Sequence, residues 1–139
     1  MTRQLLVLLM LLSPLSWAEP MQNLESLSDL KWKNRLILIE ADQPIQHYQD
    51  ELDRLDADIG DRDIVWFIVN DTDVISNFNG KLSDSAADEI RQTLQSHSSA
   101  VLLIGKDGGI KATEAQLILD ELFGEIDRMP MRQQELQSR

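Results

Sequence analysis

Apolar positions recur along the chain with two different spacings, which together predict alternating strands and helices. Three short runs are almost wholly apolar and rich in β-branched residues, as is typical of buried strands. These runs are residues 35–40, 63–70 and 100–105. Spacings of three and four predict three amphipathic helices with apolar stripes. They are predicted from Asp42 and Pro44 to Ile59, from Ser83 or Ser85 to about residue 96, and from Thr113 or Glu114 to Pro130.

The segments between these elements are more polar and richer in turn-forming residues. Residues 19–34 form an entry segment with room for one short helical turn, and residues 70–82 are interpreted as a loop. Residues 106–109 predict a hairpin turn of type I′, because Asp-Gly at the tip favours that geometry. A short fourth strand, residues 110–113, follows the turn, and residues 131–139 are interpreted as a frayed polar tail.

This order of elements predicts an α/β fold. The first two strands flank a helix as a βαβ unit, and a right-handed crossover is expected. The later strands and the last helix form a ββα unit. Joined together, the two units give a mixed four-stranded sheet flanked by helices, which is the thioredoxin-like arrangement.

The N-terminus has the three parts of a cleavable signal peptide. Arg3 is followed by the apolar run 5–12, and small residues precede a cleavage site between Ala18 and Glu19. The run is too short to span a bilayer, although an uncleaved anchor or a buried helix is the alternative. We therefore divide the chain into a signal peptide (1–18), one thioredoxin-like domain (19–129) and a polar tail (130–139). The expected location is the periplasm or the outside of the cell.

The composition excludes several function classes. The chain has 24 acidic and 13 basic residues and a formal net charge of −11, which argues against nucleic acid as a partner. No later apolar stretch is long enough to span a membrane. The chain has no cysteine, so it has no thiol nucleophile and no dithiol redox pair. Residues 41–44, where thioredoxin-like redox proteins carry Cys-x-x-Cys, read Ala-Asp-Gln-Pro, which excludes a thiol–disulfide oxidoreductase.

Three segments resemble a known family. They are LKWKNRLILI at residues 30–39, GKDGGIK at 105–111 and FGEIDRMPMRQQE at 123–135. The last of them is the most distinctive. They are similar to the DUDES-type domain of unknown function, found in secreted bacterial proteins and at the ends of animal sushi-repeat and coiled-coil matrix proteins. The resemblance covers about residues 24–136 and implies a thioredoxin-like fold, but it implies no activity.

Candidate functional residues are few. By fold analogy, the N-terminus of the first helix is the expected working edge, with Asp42, Gln43 and Pro44 beside Arg62 and Asp63. No catalytic residue, cofactor or metal ligand is predicted, because His47 and His97 are isolated and no nucleophile motif is present.

Three function classes remain open. The leading one is a non-redox domain that binds a partner protein or a small ligand. The second is a hydrolase or another enzyme that uses Asp and Arg groups at the edge. The third is a calcium-dependent interaction module, with acidic residues at 56–63 or 71–73. A C-terminal set, Arg128, Met129, Met131 and Arg132, either docks a partner or, through Ile126 and Met129, closes the core.

Overall fold

The computed structural model describes residues 22–139, and the proposed signal peptide lies outside these residues. The strands are β1 (Gln22–Leu24), β2 (Arg35–Glu40), β3 (Ile64–Val69), β4 (Val74–Ser76), β5 (Gly80–Leu82), β6 (Val101–Ile104) and β7 (Ile110–Glu114). The α-helices are α1 (Ile45–Arg54), α2 (Asp56–Asp61), α3 (Asp84–His97), α4 (Leu119–Asp127) and α5 (Pro130–Gln137). A short 3-10 helix covers Leu27–Leu30, as the leucine spacing predicts.

The main sheet confirms the predicted α/β fold class. Its strand order is β4-β3-β2-β6-β7, with β2 parallel to β3 and the other neighbours antiparallel. The βαβ unit and the ββα unit therefore join through β2 and β6. This five-stranded mixed sheet, flanked by helices, is compatible with a thioredoxin-like fold.

The sheet is covered on both faces, which explains why its central strands are apolar throughout. Successive side chains of a strand point to opposite faces, so each strand contributes to two cores. One core lies under α1, α2 and α4, and the other lies under α3 and the 3-10 helix. Within residues 22–139, no helix combines the length and the apolar composition that crossing a membrane requires.

The segment 70–82 is not the loop that its composition predicts. It contains β4, which adds a fifth strand to the sheet, and β5, which pairs in parallel with β1 in a second, two-stranded sheet. Asn77 extends the edge of the main sheet, because its side chain accepts from Trp66 N at 2.8 Å and donates to Ile64 O at 3.2 Å. Both strands have three residues and are half exposed, so they carry little apolar periodicity.

The hairpin at residues 105–109 is confirmed, but its type I′ geometry is wrong. Type I′ requires a positive φ at both central residues, and here only Gly108 has one, at 83°. Gly108 N donates to Gly105 O at 3.0 Å, and Gly105 N donates to Gly109 O at 2.8 Å. The loop is thus one residue longer than a two-residue type I′ turn, and Gly108 takes the left-handed conformation at its last position. The pairing of β6 with β7 shifts in register after Leu103.

The first two predicted helices differ in detail from the observed ones. The first is interrupted at Leu55 (φ −109°, ψ 24°), and Asp56 then opens α2 with acidic residues in its first turn, where the helix dipole favours them. Ser83, one of the two predicted caps, caps α3 by accepting from Ala86 N at 3.0 Å. The buried face of α3 consists of Ala86, Ile90 and Leu94.

The C-terminal prediction is wrong at two points. Strand β7 runs to Glu114, so the last core helix begins only at Leu119 and not at Thr113 or Glu114. Pro130 does not open a frayed tail but occupies the first turn of α5, where a proline needs no hydrogen-bond partner. Arg132 of this helix is only 2% exposed. The polar tail is therefore a packed helix.

Candidate functional site

The predicted working edge is divided between opposite ends of the sheet. Residues 42–44 follow β2, whereas Arg62 and Asp63 precede β3. Because β2 and β3 are parallel, with Arg35 opposite Ile64, these two groups are separated by a strand length of roughly 20 Å. They do not form one site.

The end that holds Asp42, Gln43 and Pro44 borders a polar cleft of about 280 Å³. Tyr48 donates a short hydrogen bond from its hydroxyl to the Asp42 carboxylate, and Asp42 N donates to the same hydroxyl at 3.2 Å. Burial raises the pKa of Tyr48, and its hydrogen bond to Asp42 acts in the same direction. The tyrosine therefore stays protonated and holds the start of α1 in place.

The other end is built from ion pairs. Arg62 donates to both carboxylate oxygens of Asp127, at 3.1 and 2.9 Å, in a bidentate arrangement. Its guanidinium lies 4.5 Å from the centre of the Phe123 ring, at cation–π distance. Arg62 thus connects the start of β3 to α4 and serves as a structural clamp in this arrangement.

Arg132 continues this arrangement from α5. It contacts Asp61 at 2.6 Å and Asp127 at 3.2 Å. The hydrogen bond from Arg132 lowers the pKa of Asp61, and a hydrogen bond from Arg139 lowers it further. The hydrogen bonds from Arg62 and Arg132 hold the pKa of Asp127 below its usual value, against the opposing effect of burial.

A second ion cluster lies beside the first and includes Asp63. Glu135 binds Arg35 through two hydrogen bonds of 3.1 Å and binds Lys106 at 2.6 Å. Lys106 also contacts Asp63 at 2.9 Å. Burial opposes ionisation of Glu135, but the hydrogen bonds from Arg35 and Lys106 outweigh it, so the pKa of Glu135 lies below its usual value.

A cleft of about 460 Å³ opens beside this second cluster, between the hairpin and the junction of α4 with α5. We call it the hairpin cleft. It is lined by Arg35, Gly105, Lys106, Asp107, Lys111, Glu125, Arg128, Met129, Pro130 and Met131. Its lining thus combines four cationic side chains with an apolar wall from the helix junction.

Two residues at this end have an unusual backbone. Trp32 and Asp63 have positive φ angles of 66° and 52°, which are uncommon for residues other than glycine. Trp32 N donates to Lys106 O at 2.7 Å, and the indole is 65% exposed. Asp63 O accepts from Arg35 N at 3.0 Å. Both residues are therefore held by the residues that form the floor of the cleft.

The sequence alone does not predict a site at the hairpin cleft, although one feature of the sequence points to it. Its charged floor consists of Arg35 and Lys106, and both bind Glu135, which lies as far as 100 residues away in the sequence. Each of them belongs to one of the three segments that carry the family resemblance. The fold brings these three segments together at one place, and their convergence was the signal available in the sequence.

The remaining candidates are separated from one another or already have partners. Of the acidic residues considered for calcium, Asp61 and Asp63 contact arginine or lysine, and Asp58 lies 3.6 Å from Arg62. Across residues 22–139, no three His, Asp or Glu side chains are grouped as a metal ion would require. His47 is exposed, as expected, and His97 Nδ1 lies 2.8 Å from Thr93 O at the end of α3.

The C-terminal set lies in different environments, and only part of it closes the core. Ile126 is fully buried, and Met129 packs against the same core, so both close the core as expected. Arg132 lies inside the ion network, whereas Arg128 is exposed at the hairpin cleft.

Comparisons with known proteins identify the chain at the level of its family. Neither the curated proteins nor the solved structures include a match. A family match covers residues 26–135, which include all three converging segments in full. The chain belongs to the family described as Domain of unknown function (DUF4174).

Proposed function

We propose that this protein is a non-redox binding domain that holds a small ligand, or a segment of a partner protein, in the hairpin cleft. One observation carries the proposal. The three segments that carry the family resemblance are distant in sequence, and they meet at this cleft over a buried ion cluster. Ion clusters of this kind fix the orientation of the side chains that surround a site.

The chemistry of the lining favours binding over catalysis. None of the residues that line the hairpin cleft, all within 22–139, carries a hydroxyl, thiol or imidazole group. The lining does contain Lys, Asp and Glu side chains, which act in many acid–base and covalent mechanisms, but each of them is in an ion pair here. Met129 and Met131 instead provide flexible, polarizable contacts that adapt to a ligand.

The alternatives have weaker support. An enzyme would use the cleft beside Asp42, where Tyr48 has a raised pKa and acts as a donor rather than a base. A calcium module at residues 56–63 would have to break the pairs that Asp61 and Asp63 form with Arg132 and Lys106. We expect no rise in melting temperature at millimolar calcium, and a clear rise would favour that alternative.

Export and the finer family assignment also belong to the proposal. We infer from the sequence of residues 1–18 that the protein is secreted to the periplasm or beyond, after cleavage at Ala18. N-terminal sequencing of the secreted protein tests this, and a start at Met1 would contradict it. The strand order supports a thioredoxin-like domain, and the resemblance of the three sequence segments supports the DUDES type.

The binding site is tested by a fragment screen that follows the amide resonances of the ¹⁵N-labelled protein. The library contains neutral, cationic and anionic fragments in equal shares. We expect saturable shifts at residues 105–111 and 125–131. Hits that cluster at Asp42 and Tyr48, or hits that are absent from the hairpin cleft, would overturn the proposed site.

A matched pair of variants sharpens this test. Met131→Trp places a large side chain in the lining of the cleft, and Leu136→Trp places the same side chain on an exposed position of the same helix. Fragment binding should be lost in the first variant and kept in the second. Equal binding in both variants would place the site elsewhere.

A further inference from the structure

We propose that the ligand of the hairpin cleft is an organic anion: a carboxylate or phosphate group attached to a small apolar body. This inference rests on the proposed function, because it assigns a ligand class to the same site. It is carried by three features of the cleft, namely its charge, the state of Arg35 and the uncapped start of α5.

The lining of the cleft has more cationic than anionic side chains, although the protein is acidic, and two of these cations, Arg35 and Lys106, are paired with carboxylates outside the lining. The chain has a net charge of −11, yet the lining has four cationic side chains and two carboxylates. Two of the cations have only surface partners: Lys111 contacts Asp107 at 2.9 Å, and Arg128 lies 3.6 Å from Glu125. Exposed pairs of this kind are worth about 1 kcal/mol or less, so both cations can turn towards a ligand at little cost.

Arg35 provides a fixed donor at the inner end of the cleft. The side chain is 1% exposed, and its Nη atoms are held by Glu135 and by Arg62 O. Its Nε–H is buried and has no acceptor among the described residues. A buried donor without a partner is costly, and because Arg35 lines the cleft, a ligand oxygen bound beside its side chain would supply the missing acceptor.

The start of α5 contributes backbone donors and the apolar wall. Met129, Pro130 and Met131 line the cleft, so the first turn of the helix borders it. No side chain caps this end, and the early N–H groups of a helix have no partner within it. The helix dipole favours an anion there. The proline and the methionines form the surface that an apolar body would contact.

The inference is tested with four probes that share one alkyl chain. Octanoate and octyl phosphate carry the anion, and octanol and octylamine are the neutral and cationic controls. We follow the amide shifts of the purified protein at residues 105–111 and 125–131. Octanoate or octyl phosphate should bind at least about tenfold more tightly than octanol, and whichever of the two binds more tightly identifies the anionic group.

Two charge reversals control for the overall charge of the protein. Arg128→Glu changes the cleft, and Arg54→Glu makes the same change in net charge at an exposed position that does not line it. The first should weaken octanoate binding roughly tenfold, because it places like charges together, and the second should leave it within about twofold. Amide spectra of both variants verify the fold.

The outcomes separate this inference from the proposed function. Equal binding of all four probes in the cleft would overturn anion recognition and leave the cleft as a binding site. The same holds if only neutral or cationic fragments bind there. Equal loss of binding in the two charge reversals would also overturn it, because only the net charge of the protein would then matter. Fragment binding confined to other surfaces would overturn both.

Discussion

Arg35 illustrates how a single residue can join distant parts of this fold. It lies at the start of a buried strand, where a charged side chain is costly unless it has a partner of opposite charge. Glu135, from the C-terminal helix, is that partner, and it also neutralises Lys106. Removing one member of a buried ion pair leaves the other member buried and unpaired, and this is costly.

Glu135→Gln should therefore lower the free energy of unfolding by about 3 kcal/mol at neutral pH. The amide keeps the size of the side chain but cannot neutralise Arg35 and Lys106. Urea denaturation measures the loss. Glu125→Gln is the matched control, since Glu125 pairs only with the exposed Arg128, and it should change stability by at most about 0.5 kcal/mol. Equal effects of the two substitutions would show that Glu135 is not a structural partner.

The cap of α3 can be assigned to one of two neighbouring serines. Ser83 accepts a hydrogen bond from Ala86 N, whereas Ser85 lies within the helix and is exposed. Ser83→Ala should lower the free energy of unfolding by about 1 kcal/mol, because the Ala86 N–H in the first turn of the helix loses its acceptor. Ser85→Ala should be neutral or slightly stabilising. A larger loss for Ser85 than for Ser83 in chemical denaturation would instead assign the cap to Ser85, the other start that the sequence predicts.

Helix α5 is the element whose observed role differs most from the role that its sequence predicts. Truncation after Met129 removes Arg132 and Glu135, and with them the partners of Arg35, Asp61 and Asp127. We expect a loss of several kcal/mol or a failure to fold, because buried charges are left unpaired. Truncation after Gln137 keeps the helix and should leave the melting temperature nearly unchanged. A stable protein that ends at Met129 would mean that the tail is dispensable.

The elements that could be predicted are those whose burial produces a local pattern of apolar residues in the sequence. Strands β2, β3 and β6 are covered on both faces, so burial leaves continuous apolar runs in the sequence. Strands β4 and β5 are defined by their pairing with other strands. Each has only three half-exposed residues, which is too few to show an alternation of apolar and polar positions. Helix α5 is held by ion pairs with distant residues, and such pairs leave no apolar stripe.

The same reasoning applies to the candidate site. Asp42 and Asp63 were grouped because each lies at an end of a strand, but the sequence does not show which end of the sheet each occupies. The parallel register of β2 and β3 separates them. The cleft itself depends on contacts between residues 35, 106 and 135, which only the folded chain brings together.

For the whole molecule, the lowered pKa values of the ion network make stability depend on pH. Glu135, Asp61 and Asp127 all have pKa values below those of free carboxyl groups. A carboxyl group whose pKa is lower in the folded state stabilises the protein above its unfolded pKa, and this stabilisation is lost as the pH falls through the folded value. Stability should thus be constant from pH 7 to about 5 and fall progressively below about pH 4.

Glu135→Gln isolates the share of one group in this loss. The variant has no carboxyl group to protonate, so the difference in unfolding free energy between it and the native protein should be largest at neutral pH. The difference should shrink towards pH 3, where Glu135 of the native protein becomes protonated as well. Urea titrations at pH 7, 5, 4 and 3 measure it, with Glu125→Gln as the control that shows no such trend. A difference that stays constant with pH would mean that the charge of Glu135 does not hold the C-terminal helix to the sheet. The size and hydrogen bonds of the side chain would then account for the whole effect.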